Sequence, residues 1–326
     1  MIVRLSLVLS ALVFALAPTI VEYPIPRANA FPHDPAVGRD GVVWYTDQAN
    51  SYIGRLDPAT GKITDYPTPT PKSGPHGITV AADGGVWYTA NAVGKIGRLD
   101  PATGQIREYA LPRDARDPHT PLLVGGSIWF TVQQSNFYGV LDTATSAVHL
   151  FAVPVPHALP YGIARAPDGT LWIALFGTNQ LGRVTPSDGS MHLYSLPDPA
   201  SRPRRIVVDG AGRVWYTDYA RGRLGTLDPA TGHGRDFASP GGAGSGPYGI
   251  AIAPDGRIWY DESGTGMLVA FDPRTAQTQT VRIPTAGAIV RNMEVDSARG
   301  RLWLALSGTG RLGRVDVPAV TADRTR

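Results

Sequence analysis

Hydrophobic and polar residues alternate along this chain in short runs that recur at a constant interval. One complete unit extends from Pro75 to Pro112. It contains four β-like runs: Ile78–Ala81, Val86–Thr89, Ile96–Leu99 and Ile106–Tyr109. An Asp-Gly turn follows the first run, and a Pro-Ala-Thr-Gly turn precedes the fourth. Short alternating runs bounded by such turns are typical of antiparallel hairpins, so the unit predicts a four-stranded sheet.

The same unit occurs seven times. Each tryptophan lies 42 to 44 residues after the one before it, and all seven belong to the series: Trp44, Trp87, Trp129, Trp172, Trp215, Trp259 and Trp303. Four strands in a repeat of about 43 residues indicate a β-propeller blade. We therefore predict an all-β, seven-bladed β-propeller with four-stranded blades. A single blade cannot cover both of its faces, so the tryptophans are predicted to pack between neighbouring blades.

The two ends of the chain are predicted to share the last blade. After Trp303 the sequence supplies a third strand at Leu312–Val315 but no fourth. At the other end, Ile20–Pro26 repeats the fourth-strand pattern of Lys62–Pro69. The N-terminal segment is thus predicted to close the ring as the outer strand of the last blade. Residues 18–318 are expected to form a single propeller, followed by a polar tail at 319–326.

The first 17 residues resemble a signal peptide. One arginine precedes an apolar run that ends in Ala15-Leu16-Ala17, a small-x-small cleavage pattern. The run is shorter than the roughly 20 residues that a membrane span needs. We expect residues 1–17 to be removed and the mature protein to be periplasmic or secreted, without a stable membrane span. The alternative is an uncleaved N-terminal anchor.

Composition narrows the chemistry. The 326 residues include 38 glycines and 29 prolines, which suits a fold with many turns. The chain has no cysteine, which excludes disulfides, thiolate catalysis and cysteine-based metal sites. A net charge of +3 is too small to indicate nucleic-acid binding. The expected partner is a small molecule or cyclic peptide, bound by a monomer.

One position per blade is predicted to reach the mouth of the central channel, where the first strand of the blade begins. Superposing the repeats on tryptophan places seven residues there: His33, His76, His119, Tyr161, Arg204, Tyr248 and Arg291. The alternative is that the repeat merely duplicated a polar residue that fills a wet channel. Imidazole, phenol and guanidinium groups are suited to acid–base work and to binding anions or metals. His33, Tyr161, Arg204, Tyr248 and Arg291 are accordingly candidate substrate-binding residues.

Acidic and amide side chains are expected near the same mouth. Four residues follow the tryptophan strands of their blades: Asp47, Gln133, Asp218 and Glu262. Asp34 and Asp117 flank two of the ring histidines. A carboxylate beside a histidine can orient the imidazole, raise its pKa or share a divalent ion with it. Each carboxylate taken alone is more often a solvated loop residue.

The blade motif resembles that of the virginiamycin B lyases, also called streptogramin lyases. It reads P-(H/Y)-G-I, then D-G-x-(V/I)-W-(Y/F)-T, then (K/R)-(I/L)-G-R-(L/V). Examples are Pro75–Ile78 with Val86–Thr89 and Lys95–Leu99, and Pro247–Ile250 with Ile258–Tyr260. The resemblance covers nearly the whole chain after the leader. It implies a seven-bladed propeller that opens the ester of a cyclic depsipeptide antibiotic by elimination, with Mg²⁺.

The resemblance also implies site residues. The family uses a P-H-x-I histidine, an E-P-H pair in the next blade, and a glutamate after that blade's tryptophan strand. The nearest matches here are His76, Asp117-Pro118-His119 and Gln133. His119 and His76 are the implied catalytic residues, and Asp117 and Gln133 the implied metal ligands. The match departs from the family, because Asp and Gln replace two glutamates. It also lies in blades 2 and 3, whereas the family's last two blades carry the site.

Three functions remain open at this point. The first is a carbon–oxygen lyase in which His119 is the general base or acid and His76 holds the substrate. The second is an exported propeller that binds a ligand without turnover. The third is a metal-dependent lactonase or esterase that uses the three ring histidines, although that family usually has six blades.

Overall fold

The short apolar runs of every repeat form strands. The computed structural model describes residues 18–317, so the predicted leader at 1–17 and tail at 319–326 lie outside the described residues. The first strands in chain order are β1 Ile20–Pro24, β2 Pro32–Val37, β3 Val43–Asp47, β4 Tyr52–Leu56, β5 Ile63–Pro67, β6 Pro75–Val80, β7 Val86–Ala90, β8 Lys95–Leu99, β9 Ile106–Ala110, β10 Pro118–Val124, β11 Ser127–Val132, β12 Phe137–Asp142 and β13 Val148–Ala152.

The remaining strands continue the same order. They are β14 Pro160–Arg165, β15 Leu171–Leu175, β16 Gln180–Thr185, β17 Ser190–Ser195, β18 Pro203–Val208, β19 Val214–Asp218, β20 Arg223–Leu227, β21 Gly234–Ala238, β22 Pro247–Ile252, β23 Ile258–Glu262, β24 Met267–Asp272, β25 Gln277–Arg282, β26 Val290–Asp296, β27 Arg301–Leu306 and β28 Arg311–Asp316. Two short 3₁₀ turns lie at Asn91–Val93 and Ser307–Thr309. No helix among residues 18–317 is long and apolar enough to cross a membrane.

The strands form seven antiparallel sheets of four, as the repeats predicted. Blades 1 to 6 each contain four consecutive strands, beginning with β2–β5 and ending with β22–β25. Blade 7 has the order β1-β28-β27-β26, in which Ile20 pairs with Val315 and Pro24 with Arg311. The predicted closure by the N-terminal strand is therefore confirmed.

The seven tryptophans pack between blades, as predicted. They are at most 4% exposed, and each shares a buried cluster with strands of the following blade. Trp87 of blade 2, for example, packs with Ile128 and Phe130 of blade 3. Trp303 of blade 7 packs with Val43 and Tyr45 of blade 1, which completes the circle. The core is thus divided among the blade interfaces, and each interface depends on both of its neighbours.

Every blade has a bulge at the start of its first strand. In blade 2, the register with β7 shifts between Pro75 and Ile78, and the same shift recurs in all seven blades. The predicted ring residue and its successor lie inside this bulge. Strand β6 therefore begins at Pro75, three residues before Ile78, where the apolar run predicted its start. A bulge interrupts the backbone ladder, so its amide groups need other partners.

Threonine hydroxyls supply those partners in four blades. The Thr89 hydroxyl accepts a hydrogen bond from the Gly77 amide (3.0 Å) and donates to the carbonyl of His119 in the next blade (2.7 Å). Thr46, Thr131 and Thr217 make the equivalent pair of bonds. Each hydroxyl therefore joins the bulge of its own blade to the bulge of the next blade, and this fixes the backbone that carries the ring residues.

Removal of residues 18–27 tests ring closure. The deletion takes away β1 and the buried Ile25, leaves β28 as an open edge, and should lower the free energy of unfolding by several kcal/mol. Chemical denaturation of the truncated protein measures the effect. Val21→Ala is the control, because Val21 lies on the same strand but is 40% exposed. An unchanged midpoint in the truncated protein would show that β1 does not close the ring.

Replacement of Thr89 tests the link between bulges. Thr89→Val keeps the shape of the side chain but leaves a buried amide and a buried carbonyl unpaired, which should cost about 1–3 kcal/mol for each group. Thr89→Ser keeps the hydroxyl and should cost less, about 1 kcal/mol for the lost methyl group. Denaturant unfolding of both variants gives the comparison. Equal stabilities, or a less stable serine variant, would contradict the proposed role of the hydroxyl.

Candidate functional site

The three ring histidines and Tyr161 form an arc of closely packed, mutually tilted rings at one end of the channel. The ring centroids of His33 and His76 are 3.7 Å apart, those of His76 and His119 are 3.7 Å apart, and those of His119 and Tyr161 are 3.9 Å apart. All four side chains are buried. The convergence follows from the bulges, which present one side chain per blade at the same height around the axis.

Aromatic and cationic side chains complete the circle. The Tyr161 and Tyr248 hydroxyls are in contact, and the Arg204 guanidinium donates a hydrogen bond to Tyr161 (3.3 Å). The guanidinium carbon of Arg291 lies 5.6 Å from the ring centroid of Tyr248. The structure therefore brings together all seven residues that the repeat alignment predicted, whereas their roles in binding or catalysis stay predictions.

A buried ion pair lies directly beneath the ring. Arg205 of blade 5 donates to Asp34 of blade 1 across the channel (2.8 Å), and Asn292 of blade 7 donates to the other carboxylate oxygen (3.0 Å). The Asp34 carboxylate also faces Nδ1 of His33 (2.8 Å). Arg205 further approaches the Thr120 hydroxyl of blade 3 at 3.5 Å. These contacts tie four blades together and form a polar floor under the arc.

Burial and neighbouring charge set the protonation states. Burial would raise the pKa of Asp34, but Arg205 and the contact with His33 hold it well below its ordinary value. Burial lowers the pKa values of His33, His76 and His119. Nearby arginines lower all three further, and neighbouring imidazoles lower those of His76 and His119, whereas Asp34 opposes the effect at His33 and His76 without cancelling it. The three imidazoles are therefore neutral at neutral pH. Because ionised Asp34 can only accept, His33 carries its proton on Nδ1 and its Nε2 is a free base.

A second space lies on the other side of the floor. A cavity of about 390 Å³ continues along the channel, and its walls are largely aliphatic side chains of the first strands. Arg165 and Glu294 are the charged groups that it adds to Asp34 and Arg205. The polar floor thus separates the ring from this cavity.

Asp117 is directed away from the imidazole arc. Its backbone has a left-handed φ of 65°, a conformation that aspartate tolerates better than most residues. Its side chain lines a crevice with Asn91, Arg113 and Arg116. Burial raises the pKa of Asp117 to about 6, and the contact with Asn91 offsets this only in part. One carboxylate oxygen is buried without a hydrogen-bond partner among the described residues.

Gln133 does not occupy the position assigned to it by superposition. Asp47 lies opposite Pro32 in blade 1, but in blade 3 the residue opposite Pro118 is Val132. Gln133 is the fourth residue after its tryptophan, whereas Asp47 is the third residue after its own, so the expected equivalence of Gln133 with Asp47 is wrong by one residue. Its predicted role as a metal ligand stays a prediction.

The carboxylates that follow the other tryptophan strands hold loops. Asp47 accepts from the Phe31 amide (3.0 Å) and pairs with Arg27, and Asp218 accepts from the Arg202 amide (3.0 Å). Glu262 accepts from the Gly241 amide (2.8 Å). These groups therefore fix the segments that lead into the first strands, and none of the three hydrogen-bonds to a ring side chain in the part of the chain that the structure describes. Alternation along a strand explains the result, since the threonine before each of Asp47 and Asp218 faces the bulge.

One group of described residues could hold a metal ion. His33, Asp34 and His76 present ligand atoms that all lie within 4.8 Å of one another. Two imidazoles and one carboxylate form a donor set that suits zinc and similar transition metals better than magnesium. Both carboxylate oxygens of Asp34 already accept hydrogen bonds, however, and the positive charge of Arg205 lies beside them.

The repeat pattern did not predict some residues of the polar floor or the aromatic residues around the mouth. Thr120 and Asn292 join the floor, and Phe31, Phe176 and Tyr219 surround the mouth. The threonine two residues after the tryptophan in blades 1, 2, 3 and 5 was a visible signal, because it recurs with the same period. The aromatic rim had no such signal, since its members come from unlike loop positions.

A seven-bladed propeller with histidine, tyrosine and arginine at its channel mouth is the class of protein that the fold and site define. The chain belongs to the virginiamycin B lyase family, whose model matches residues 19–241. That match covers β1 and blades 1 to 5, and it ends before β22. No curated protein matches the chain.

Solved structures agree with the family. The virginiamycin B lyase of Staphylococcus aureus has a TM-score of 0.86 and 25% identity, covering 93% of this chain and all (100%) of that one. A streptogramin B lyase has a TM-score of 0.85 and 25% identity, covering 92% and 98%. A catalytically inactive His-to-Ala variant of the S. aureus enzyme, crystallised with quinupristin, also matches at 0.86. Hydrazine synthase of Kuenenia stuttgartiensis, with 14% identity and a TM-score of 0.77, shares the fold alone.

Neutral burial of the histidines predicts a pH effect on stability. Because folding lowers the pKa of His76, the unfolded chain takes up a proton below about pH 6.5 that the folded chain does not, and stability falls as pH decreases. His76→Gln should remove this contribution, which amounts to about 1 kcal/mol between pH 6.5 and 5.5. Denaturant unfolding across that range measures the slope. His149→Gln, on the exposed outer strand of blade 3, is the control; identical slopes for wild type and His76→Gln would contradict the neutral state.

Proposed function

We propose that this chain is an exported carbon–oxygen lyase that opens the ester of a cyclic depsipeptide, or a related ester or lactone, by elimination. The observation that carries the proposal is the arc of three neutral imidazoles at the channel mouth. The chain belongs to a family in which a His-to-Ala variant of the S. aureus member is inactive. Export rests on the leader sequence and stays a prediction.

Elimination suits a neutral imidazole. A base removes a proton from the carbon beside a carbonyl, the electron pair forms a carbon–carbon double bond, and the carbon–oxygen bond breaks so that a carboxylate leaves. No water enters the products. We assign the proton transfer to His119 and substrate positioning to His76. Burial lowers the pKa of His119, so the imidazole is in its proton-accepting form at neutral pH. The Thr120 hydroxyl, 3.1 Å from its Nδ1, fixes the orientation of the ring.

The family resemblance implies that Asp117 and Gln133 bind Mg²⁺, but the residues present fit a magnesium site poorly. Mg²⁺ prefers several oxygen ligands in octahedral geometry. The unpartnered oxygen of Asp117 could accept a cation, but the crevice supplies two arginines and no second carboxylate. At the arc, Asp34 is the one acid that the described residues place beside the imidazoles, and it is engaged by Arg205. We therefore assign no step to magnesium.

Ligand binding without turnover is the second candidate. The imidazoles are 3–4% exposed and neighbouring ring centroids lie 3.7 Å apart, so they fill the channel mouth as a core would. The family's E-P-H motif is also absent from blades 6 and 7, where Tyr248 and Arg291 take the ring positions. These features favour a recognition surface that uses the same residues.

The activity assay follows products by mass. Purified protein is incubated with cyclic depsipeptide esters and simple lactones; elimination gives a linear product of unchanged mass, whereas hydrolysis adds one water. His119→Ala should reduce turnover by about 10²-fold or more, the usual contribution of a positioned base. His149→Ala, on the outer surface, is the control. If every ester and lactone stays intact but still binds to the protein, the lyase proposal is wrong and ligand binding without turnover is the remaining candidate.

A further inference from the structure

Three guanidinium groups surround one tyrosine at the channel mouth. The guanidinium carbons of Arg204, Arg291 and Arg205 lie 4.0, 5.6 and 5.8 Å from the ring centroid of Tyr248. Only Arg205 has a carboxylate partner within ion-pair distance among residues 18–317, namely Asp34. The mouth therefore holds two positive charges without a neutralising acid.

Arg204 is held by aromatic faces and leaves its donors largely unused. Its guanidinium carbon lies 4.0–4.9 Å from the ring centroids of Tyr161, Phe176, Tyr219 and Tyr248. Aromatic faces attract the positive charge of the guanidinium, but they leave its in-plane N–H donors available for hydrogen bonds. In the described part of the chain, its one hydrogen bond goes to Tyr161, and its Nε is buried without a partner. A half-buried guanidinium whose donors lack protein acceptors calls for an acceptor from outside.

Arg291 faces the same space. Its Nε donates to the Ser307 hydroxyl at 3.3 Å, and its guanidinium carbon lies 5.5 Å from the Phe31 ring centroid. The side chain is partly exposed. The nearby buried carboxyl of Asp261 is not within ion-pair distance; it accepts from the Gly249 amide and the Ser263 hydroxyl. Arg291 thus has donors at the mouth and no acid within ion-pair distance among residues 18–317.

The geometry points to a carboxylate-binding site formed by Arg204, Arg291 and Tyr248, and we propose that ligands of this protein carry a carboxylate next to an apolar group. A planar carboxylate matches the fork of a guanidinium and accepts two parallel hydrogen bonds. The partly exposed rings of Phe31, Phe176 and Tyr219 at the rim supply apolar contact for the adjoining group.

This inference deepens the proposed lyase function and, for its catalytic part, rests on it. In the elimination, the electron pair of the broken carbon–oxygen bond leaves with the acid portion of the ester, and the proton goes to the imidazole. The departing group is a carboxylate, so Arg204 and Arg291 would stabilise the charge that develops on it. No co-reactant is required. The two arginines would then supply the positive charge that a metal ion supplies in metal-dependent relatives.

Calorimetric titration with benzoate tests the site without turnover. Benzamide and benzylamine are the neutral and cationic controls of nearly the same shape. Benzoate should bind at least tenfold more tightly than benzamide, benzylamine should not bind, and benzoate affinity should fall as ionic strength rises. Equal affinity for benzoate and benzamide would overturn the proposal, and so would inorganic phosphate that binds as tightly as benzoate.

Variants assign the effect to residues. Arg291→Gln should weaken benzoate binding about tenfold or more, the expected loss for a charge-assisted hydrogen bond. Arg183→Gln is the control, because Arg183 pairs with Asp168 on the outer surface. Arg204→Gln should act in the same direction, but its packed position makes the partly exposed Arg291 the deciding variant. Wild-type affinity in a folded Arg291→Gln protein would refute the site.

The carboxylate site and the lyase function can be refuted independently of each other. If benzoate binds as expected but esters and lactones stay intact, the lyase function is wrong and the carboxylate site stands. If elimination proceeds at the wild-type rate in Arg291→Gln, the lyase function stands and the role of the arginines toward the leaving group is wrong.

Discussion

The arrangement of this protein depends on how the bulge at the start of each first strand is satisfied. A bulge leaves backbone groups without ladder partners in the middle of a packed ring. In four blades a threonine hydroxyl joins the amide of its own bulge to the carbonyl of the next blade's ring residue, at 2.6–3.2 Å. The backbones that carry the imidazoles are therefore fixed by hydrogen bonds as well as by the tryptophan interfaces.

Electrostatics then divides the channel mouth into two halves. On one side, burial keeps three imidazoles neutral, and Asp34 orients the first of them. On the other side, Arg204 and Arg291 retain charge among tyrosine and phenylalanine rings. The Asp34–Arg205 pair joins the halves across the axis. A neutral base facing a positively charged acceptor site suits a reaction that removes a proton and releases a carboxylate.

The family resemblance and the residues of this chain both indicate a propeller, but the residues do not supply the metal ligands that the resemblance implies. The chain superposes on the S. aureus lyase over 93% of its length. The candidate acids are engaged elsewhere: Asp47, Asp218 and Glu262 hold loops, and Asp117 faces a lateral crevice. Under the proposed lyase function, the positive charge at the channel mouth would come from Arg204 and Arg291.

The sequence by itself determined the blade number, the ring closure and the seven residues at the mouth, because repetition at a fixed period forces equivalent positions into equivalent places. It could not determine side-chain directions that depend on a single loop. The Asp117 carboxylate, for example, lines a lateral crevice from a backbone with a left-handed φ and does not join the imidazole arc. Nor could it pair Asp34 with Arg205, 171 residues apart, since only closure of the ring brings opposite blades together across the axis.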